Sequence, residues 1–478
     1  MKIIHKAAFL NCFLLAFFFV SLCNSAIYGQ KNYRIEIEGQ TTFNEGEEVR
    51  ISATTDYISL RPVTLGATTI DNTGKFHLSF DVPNIVLAQI EVRTSKADIF
   101  FVPGYHYDLQ LDMDPELFDM ITPELYGGFL QVKSNKIDTL DLNYKINKFS
   151  NFFNRQLDQF APYLFRKNME MYDTLLFNIQ NQFEIRYAPD NYYLSYLYYT
   201  IAMIDELIYA NSPQHFFSQY LDNDYILYDN PAYMSVFKDF YHQYLYNSPH
   251  ISKQILSQYI NETADYPALF NAVGRDPFLV NERIRELVIM DNLFAFANSD
   301  EFVRDHVLQL LHFIKDNTHF ANHKTIVEHV LFELNKYGEE TITPRFMVKK
   351  QDGSSVNLIE NYKGKWVYLQ VFNVNCLDCI REMLIIKDLH EKYGDKITFV
   401  SLSLDFDFTK FQNFTNKNSQ FTWDFVHFNS NFEWLRDLEI GSLPDNILFD
   451  PEGHISLRYP PDPSKNLSQF LLLKFREN

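Results

Sequence analysis

Two cysteines near the end of the chain have the spacing of a dithiol–disulfide pair. The chain of 478 residues contains four cysteines. Cys12 and Cys23 lie in an apolar N-terminal segment, whereas Cys376 and Cys379 form a Cys-x-x-Cys pair. Two thiols cannot complete a structural zinc site, which needs four ligands, and a disulfide across so short a loop removes little chain entropy. A redox-active pair is therefore the interpretation that uses both residues.

The pair is predicted to stand between a strand and a helix. The apolar run at residues 366–372 reads as a buried strand, and residues 376–393 read as a helix that stops at Gly394. Free N–H groups and partial positive charge at the start of a helix stabilise a thiolate. We therefore expect Cys376 to be the nucleophile and Cys379, one turn later, to resolve the mixed disulfide.

The first 29 residues have the pattern of a secretory signal. Basic residues precede an apolar run at residues 9–22, and small and polar residues lead to Gly29. The run is too short to favour a spanning helix, so we expect cleavage after Gly29 and a location in the periplasm or cell envelope. Residues 20–23 form a degenerate lipobox, which makes a lipid anchor on Cys23 the alternative.

The composition is that of a globular protein with an acidic surface. Hydrophobic residues make up 46% of the chain, and the formal net charge is −19. This charge argues against binding to nucleic acid or to anionic membrane surfaces. The 30 tyrosines and 45 phenylalanines are read as bulky core residues.

Three successive patterns predict a multidomain protein. Residues 30–112 alternate with period two between Gly and Asn turns, which indicates an antiparallel β-sandwich. Residues 113–342 follow helical spacing and predict an α-helical middle domain. Residues 343–478 alternate strand and helix, which is typical of an α/β domain with a mixed sheet.

The last of these regions resembles a known family at three places in order. These are the predicted opening hairpin at 352–365, the Cys-x-x-Cys-x-x-Glu-Met sequence at 376–383, and the Ser-Leu-Pro loop and closing hairpin at 442–453. Together they make residues 343–478 resemble a thioredoxin-fold domain of the TlpA/ResA type, the exported thiol–disulfide oxidoreductases. The layout of the remaining chain resembles larger TlpA-like proteins less specifically.

The resemblance implies roles for two further residues. Pro444 is expected to follow a cis peptide bond and to pack against the cysteine pair; the alternative is an ordinary turn proline. Glu382 is expected to transfer protons near Cys376 and Cys379, and its alternative is a solvated helix carboxylate. The family's chemistry needs no metal or cofactor. The implied partners are protein disulfides or dithiols, with a membrane thiol as a candidate electron donor.

Four positions depart from the family pattern. Asn375 replaces an aromatic residue, Leu384 replaces a helix proline, and Gln370 stands where classical thioredoxins carry a buried acid. Glu382 is then the remaining candidate proton relay. Asp378 lies between the cysteines, where its charge disfavours a nearby thiolate. Because stabilised thiolates make strong oxidants, Asp378 predicts a reductant.

A second hypothesis comes from a different class of function. The chain could be a binding or scaffold protein of the envelope, whose sandwich and helical domains act while the thioredoxin-like domain is vestigial. The intact cysteine pair favours the oxidoreductase, whereas Asn375 favours the scaffold.

Overall fold

The computed structural model describes residues 33–93, 95–113, 130–136, 138–209, 212–299, 301–336, 345–430 and 432–475. The predicted signal segment, Cys12 and Cys23 lie outside these residues. No helix within the described ranges combines the length and the apolar character that a bilayer crossing requires. The described chain forms an N-terminal pair of sheets, a helical middle region and a C-terminal α/β domain, so the predicted multidomain fold class is confirmed.

The N-terminal region consists of two four-stranded sheets, in the orders β4-β1-β7-β8 and β3-β2-β5-β6. The strands are β1 (Arg34–Thr41), β2 (Glu48–Thr54), β3 (Pro62–Thr69), β4 (Lys75–Asp81), β5 (Val86–Val92), β6 (Ser95–Phe101), β7 (His106–Met113) and β8 (Leu130–Ser134). In β1 and β2 every second residue is buried, and residues from both sheets meet in one apolar cluster. The two sheets therefore pack face to face as a sandwich.

Two features of the sandwich differ from the sequence interpretation. The pairs are antiparallel with the exception of β1 and β7, which run parallel. The strand β8 pairs antiparallel with β7 although it lies in the range 113–342, for which helices were predicted. Because β8 has only five residues, it is too short for period-two alternation to stand out.

The middle region is a stack of helices, most of which begin at a polar cap. The helices are α1 (Leu142–Leu164), α2 (Met169–Gln182), α3 (Tyr192–Ile208), α4 (Pro213–Tyr220), α5 (Pro231–Phe240), α6 (Tyr244–Asn247), α7 (Lys253–Leu256), α8 (Tyr266–Val273), α9 (Glu282–Phe296), α10 (Arg304–Asn317) and α11 (Ala321–Asn335), with a π-helix at Ser257–Glu262. Asn191, Asn230 and Asn281 cap α3, α5 and α9 through their side-chain oxygens, as such residues do at helix starts.

The helix α9 lies in the centre of this region and is buried almost all round. Its buried residues include the polar Arg285, Glu286 and Asn292 as well as apolar ones. The guanidinium of Arg285 donates to the carbonyl groups of Leu279 and Val280, at 2.7 and 2.8 Å. Hydrogen bonds of this kind remove much of the cost of burying polar groups.

Contacts between polar side chains join the three regions. His329 on α11 lies 2.8 Å from Asp56 in the sandwich, and Lys336 at the end of α11 lies 2.6 Å from Glu439 in the C-terminal domain. Arg436 of that domain faces Glu91 in the sandwich at 3.6 Å. The C-terminal domain thus contacts both of the preceding regions.

The C-terminal domain is a seven-stranded mixed sheet with the order β10-β9-β13-β12-β11-β14-β15. Its strands are β9 (Met347–Lys350), β10 (Ser355–Asn357), β11 (Trp366–Phe372), β12 (Ile397–Ser403), β13 (Asp424–His427), β14 (Asp445–Phe449) and β15 (Ile455–Leu457). Its helices are α12 (Leu358–Asn361), α13 (Leu377–Tyr393), α14 (Phe408–Lys417), α15 (Phe432–Asp437) and α16 (Leu467–Lys474). The predicted strand at 366–372 and the helix that stops at Gly394 are confirmed.

Strand β11 forms the centre of two apolar layers. Val367, Leu369 and Val371 belong to the cluster on one face of the sheet, and Tyr368 and Phe372 belong to the cluster on the other. A strand buried on both faces reads as a continuous apolar run, which is why the sequence identified it. The loop that follows β11 is therefore attached to a rigid part of the domain.

Two glycines in the turns of this sheet provide a matched test of the fold. Gly453, between β14 and β15, has φ +92°, and an added Cβ would lie 2.3 Å from Cγ2 of Ile359. Gly353, between β9 and β10, has φ +87° with no atom within 4 Å of such a Cβ. Alanine at Gly353 would therefore meet conformational strain alone, whereas alanine at Gly453 would meet strain and overlap.

We expect Gly353→Ala to lower the free energy of unfolding of the C-terminal domain by about 1–2 kcal/mol, the cost of a left-handed conformation. Gly453→Ala should lower it by about 1–3 kcal/mol more, because of overlap with Ile359. Urea unfolding followed by tryptophan fluorescence measures both losses. Equal losses would contradict the close approach of Ile359 to the turn.

Candidate functional site

The cysteine pair lies at the junction of β11 and α13. Cys376 is the N-cap residue of α13, and its Sγ accepts a hydrogen bond from the backbone N–H of Cys379 at 3.1 Å. The two cysteines are joined by a disulfide, with their Cα atoms 5.3 Å apart. The sulfur of Cys376 thus occupies the position where the free N–H groups of a helix start favour negative charge.

The two sulfur-bearing residues differ in their accessibility. Cys379 is fully buried, whereas Cys376 is partly exposed and its neighbour Leu377 is 69% exposed. An external disulfide can therefore approach Cys376 but not Cys379. The geometry is that of one attacking thiol and one internal thiol.

A cis peptide bond joins Leu443 and Pro444. The strand β14 starts directly after it and pairs with β11, so that Asp445 stands opposite Val371. Leu443 packs against the same apolar cluster as Cys376 and Cys379. The predicted cis bond is confirmed, and the sheet brings the two loops to the same edge.

A buried arginine holds the chain that follows the cis bond. Arg458 is 4% exposed, and its two Nη atoms lie 2.8 Å from the two carboxylate oxygens of Asp445. Its Nε donates to the carbonyl of Leu438 at 2.6 Å, and Nη2 donates to the carbonyl of Glu439 at 3.3 Å. Paired contacts between guanidinium and carboxylate fix geometry strongly, so Arg458 positions both ends of the loop that contains Pro444.

Glu382 lies on α13 one turn beyond Cys379 and is 5% exposed. Its Oε1 accepts a hydrogen bond from the hydroxyl of Ser464 at 3.1 Å. Burial raises the pKa of Glu382 above its ordinary value, and the nearby charge of Asp462 acts in the same direction; the hydrogen bond from Ser464 partly opposes both. A solvated carboxylate, the alternative interpretation of Glu382, does not describe this environment.

Buried polar side chains line the region beneath the pair. Gln370 on β11 is fully buried and donates to the carbonyl of Cys379 at 3.4 Å, and the hydroxyl of Ser401 donates to Gln370 at 3.4 Å. Asn446 on β14 is also buried, and its amide lies 3.3 Å from Asp462. The amide of Gln370 thus supports the helix start.

Asp378, between the cysteines, points into solvent. Its carboxylate lies 2.6 Å from the guanidinium of Arg381, and both side chains are at least 70% exposed. An exposed ion pair of this type contributes little energy. The negative charge of Asp378 near the helix start is therefore only partly compensated.

Sequence reasoning placed Cys376, Cys379, Glu382 and Pro444, and the structure brings all four into one region of the domain. Sequence reasoning missed Arg458, whose contact with Asp445 spans 13 residues. An arginine at the end of an exposed-looking hairpin carries no signal in the sequence. The contact depends on the antiparallel pairing of β14 with β15, which brings Arg458 beside Asp445.

Comparison with known proteins gives matches in this region. A sequence profile of the family described as Thioredoxin-like matches residues 364–455. The thiol–disulfide oxidoreductase ResA of Bacillus thuringiensis (strain Al Hakam) is 28% identical over 114 residues, which are 23% of this chain and 64% of that protein. ResA of Bacillus anthracis matches with the same figures. The match thus spans less than two thirds of the length of these curated relatives.

Solved structures match over a similar share of the chain. The solution structure of a thiol:disulfide interchange protein from Bacteroides sp. is 22% identical, with a TM-score of 0.26, and covers 30% of this chain and 95% of that one. The thiol–disulfide oxidoreductase from Bacteroides fragilis is 22% identical, with a TM-score of 0.25, and covers 28% of this chain and 98% of that one.

The profile match begins in the turn before β11 and ends in β15. It therefore includes the cysteine pair, the central strands and the loop with the cis bond, which are the parts that form the site. The sandwich and the helical region lie outside it. The C-terminal part of this chain is a thioredoxin-like domain, similar in sequence to the thiol–disulfide oxidoreductase ResA.

Proposed function

We propose that the protein is an exported thiol–disulfide oxidoreductase that exchanges disulfides with protein partners through Cys376 and Cys379. The observation that carries this proposal is the placement of the pair. Cys376 is partly exposed and caps α13, Cys379 is buried behind it, and the cis bond before Pro444 lies at the same edge of the sheet. A structural disulfide would need none of these features.

In the reducing direction, the thiolate of Cys376 attacks one sulfur of a partner disulfide. The partner's S–S bond breaks, its other sulfur leaves and takes up a proton, and a mixed disulfide with Cys376 forms. The thiol of Cys379 then loses its proton and attacks Sγ of Cys376, which releases the second partner thiolate. The partner gains two electrons and two protons, and a membrane thiol donor returns Cys376 and Cys379 to the reduced state.

Glu382 is proposed to accept the proton of Cys379 in the second step. It is buried on the same helix, and its raised pKa brings its ionisation closer to the pH at which exchange occurs. Gln370 cannot take this role, because an amide does not titrate. Ser464 holds the carboxylate by its hydrogen bond to Oε1.

The loop before β14 is proposed to bind the partner chain. Pro444 lacks an N–H and presents an apolar ring, while the backbone of Leu443 remains available for pairing with an extended peptide. Backbone pairing gives affinity with little demand on side-chain sequence. Arg458 and Asp445 would keep this loop in place during exchange.

The protein is proposed to be exported and to act as a reductant. The pattern of residues 1–29 supports secretion to the periplasm or envelope, with lipid anchoring at Cys23 as the alternative. The charge of Asp378 disfavours the thiolate of Cys376 and so supports a reductant rather than an oxidant.

The nucleophile can be identified by trapping. Cys379→Ser removes the resolving thiol, so mixed disulfides through Cys376 should accumulate, and non-reducing gels with mass spectrometry would detect them. The matched variant Cys376→Ser should trap about tenfold less, because the remaining sulfur is buried. Equal trapping by the two variants, or none by either, would contradict the oxidoreductase and favour the scaffold hypothesis.

Glu382→Gln tests the proton relay. In the wild type, release of the mixed disulfide should accelerate as pH rises through the raised pKa of Glu382. Glutamine cannot accept a proton, so the release rate of the variant should lose this inflection with pH. The variant should also release the partner about 100-fold more slowly. Stopped-flow measurements between pH 4 and 9 give both profiles. Glu391→Gln, at an exposed position of the same helix, is the control and should keep the inflection.

The same variant has an expected effect on stability. Because the pKa of Glu382 is raised in the folded protein, protonation stabilises the fold at low pH, and this contribution is lost as pH rises through the folded pKa. Glu382→Gln should therefore gain stability relative to the wild type as pH rises from the acid range to neutrality. Urea unfolding at several pH values measures the difference, and a constant difference would contradict a raised pKa.

Asp378→Asn tests the redox direction. Removal of the charge should favour the thiolate of Cys376 and raise the reduction potential by about 10–20 mV, the shift expected of one exposed charge. Equilibration with glutathione buffers measures the potential. Asp388→Asn, exposed farther along the same helix, should leave it unchanged. A lower potential for Asp378→Asn would contradict the proposed effect.

A further inference from the structure

A cavity of about 610 Å³ lies between the sandwich and the helical region. Pro83 and Ile85 come from the sandwich side, and Ile226 and Leu227 come from the helical side. Its volume falls in the range of small-molecule sites, which often form where domains meet. The thioredoxin-like domain contributes none of the described lining residues, so the cavity is separate from the cysteine site.

Arg283, on the first turn of α9, provides a positive charge in the cavity wall. Its Nε donates to the hydroxyl of Tyr228 at 3.1 Å, and its guanidinium lies over the rings of Tyr228 and Phe320. Within the described part of the chain, no carboxylate pairs with Arg283. The terminal nitrogens of the guanidinium are therefore available to a ligand.

Tyr228, which also lines the cavity, is held by a buried chain of hydrogen bonds. Its hydroxyl lies 2.7 Å from Nε2 of His323, and Nδ1 of His323 lies 2.8 Å from Oε1 of Glu286. His323 is fully buried and Glu286 is 6% exposed. Because a carboxylate accepts hydrogen bonds, Nδ1 of His323 donates to Glu286.

Both carboxylate oxygens of Glu286 accept hydrogen bonds. Oε1 also accepts from the hydroxyl of Thr318, and Oε2 accepts from the hydroxyl of Tyr266 at 3.2 Å. Glu286 therefore fixes His323 and Tyr228 rather than neutralising Arg283. The hydroxyl oxygen of Tyr228 accepts a hydrogen bond from Nε of Arg283. This bond holds the guanidinium in a defined position at the cavity wall.

We propose that this cavity binds an organic monocarboxylate with an apolar body. The guanidinium of Arg283 matches a carboxylate in shape and charge, and the apolar walls would cover the rest of the ligand. Asp190 and Asp229 also line the cavity, and the whole chain has a net charge of −19. Among the described lining residues Arg283 is the one cation, which favours a ligand with one negative charge over a ligand with two, so a phosphate monoester is disfavoured.

The ligand would contact both domains. The side chain of Asn84 in the sandwich donates to Asp229 in the helical region at 2.9 Å, at the edge of the same cavity. A ligand in the cavity would add contacts across this junction. Since a ligand that binds only the folded protein stabilises it, we expect binding to raise the unfolding temperature of the full chain.

The test uses the full mature chain and a fluorescent probe, dansylated undecanoic acid, with its methyl ester as the uncharged counterpart. We expect the acid to bind about tenfold more tightly than the ester, the effect of one charge-assisted contact. Arg283→Gln should remove this preference, while Arg283→Lys should retain part of it. Arg166→Gln, at an exposed position that does not line the cavity, should behave as the wild type.

Three outcomes would overturn the proposal: no binding of the acid, equal binding of acid and ester, or an acid preference that survives Arg283→Gln. Tighter competition by dodecyl phosphate than by dodecanoic acid would overturn the monocarboxylate class. Circular dichroism and thiol exchange through Cys376 should be unchanged in Arg283→Gln, which separates loss of binding from loss of fold. If that variant fails to fold, the comparison of acid with ester in the wild type and in Arg283→Lys decides the outcome.

Discussion

The candidate site depends on the pairing of β11 with β14 in the C-terminal sheet. The strand β11 delivers the loop that contains Cys376, and β14 starts directly after Pro444, with Asp445 opposite Val371. Because both strands are buried, neither loop can shift without breaking central hydrogen bonds. The cysteine pair and the cis bond are therefore held by two buried strands that are paired directly with each other.

The features that follow local rules could be predicted from the sequence. The apolar run of β11, the helix α13 from its capping Cys376 to Gly394, and the cis bond before Pro444 all appear as expected. Each of these depends on residues that are adjacent in the chain or on a motif of fixed spacing.

The features that depend on distant contacts could not be predicted. The pair of Arg458 and Asp445, the parallel pairing of β1 with β7, and the addition of β8 to the first sheet are set by tertiary structure. The helix α9 is buried almost all round, so it lacks the polar stripe that would reveal its orientation. Its buried Glu286 reads as an ordinary charged residue until His323 is placed beside it.

Arg458 anchors the cis-proline loop through hydrogen bonds that are separate from the disulfide. The hydrogen bonds from Arg458 to Asp445 and to the carbonyls of Leu438 and Glu439 contain no sulfur atom. Opening the bond between Cys376 and Cys379 would break none of these hydrogen bonds. If this loop binds a partner chain as proposed, the oxidised and reduced forms would present the same backbone to it and would differ in the chemistry of their sulfur atoms.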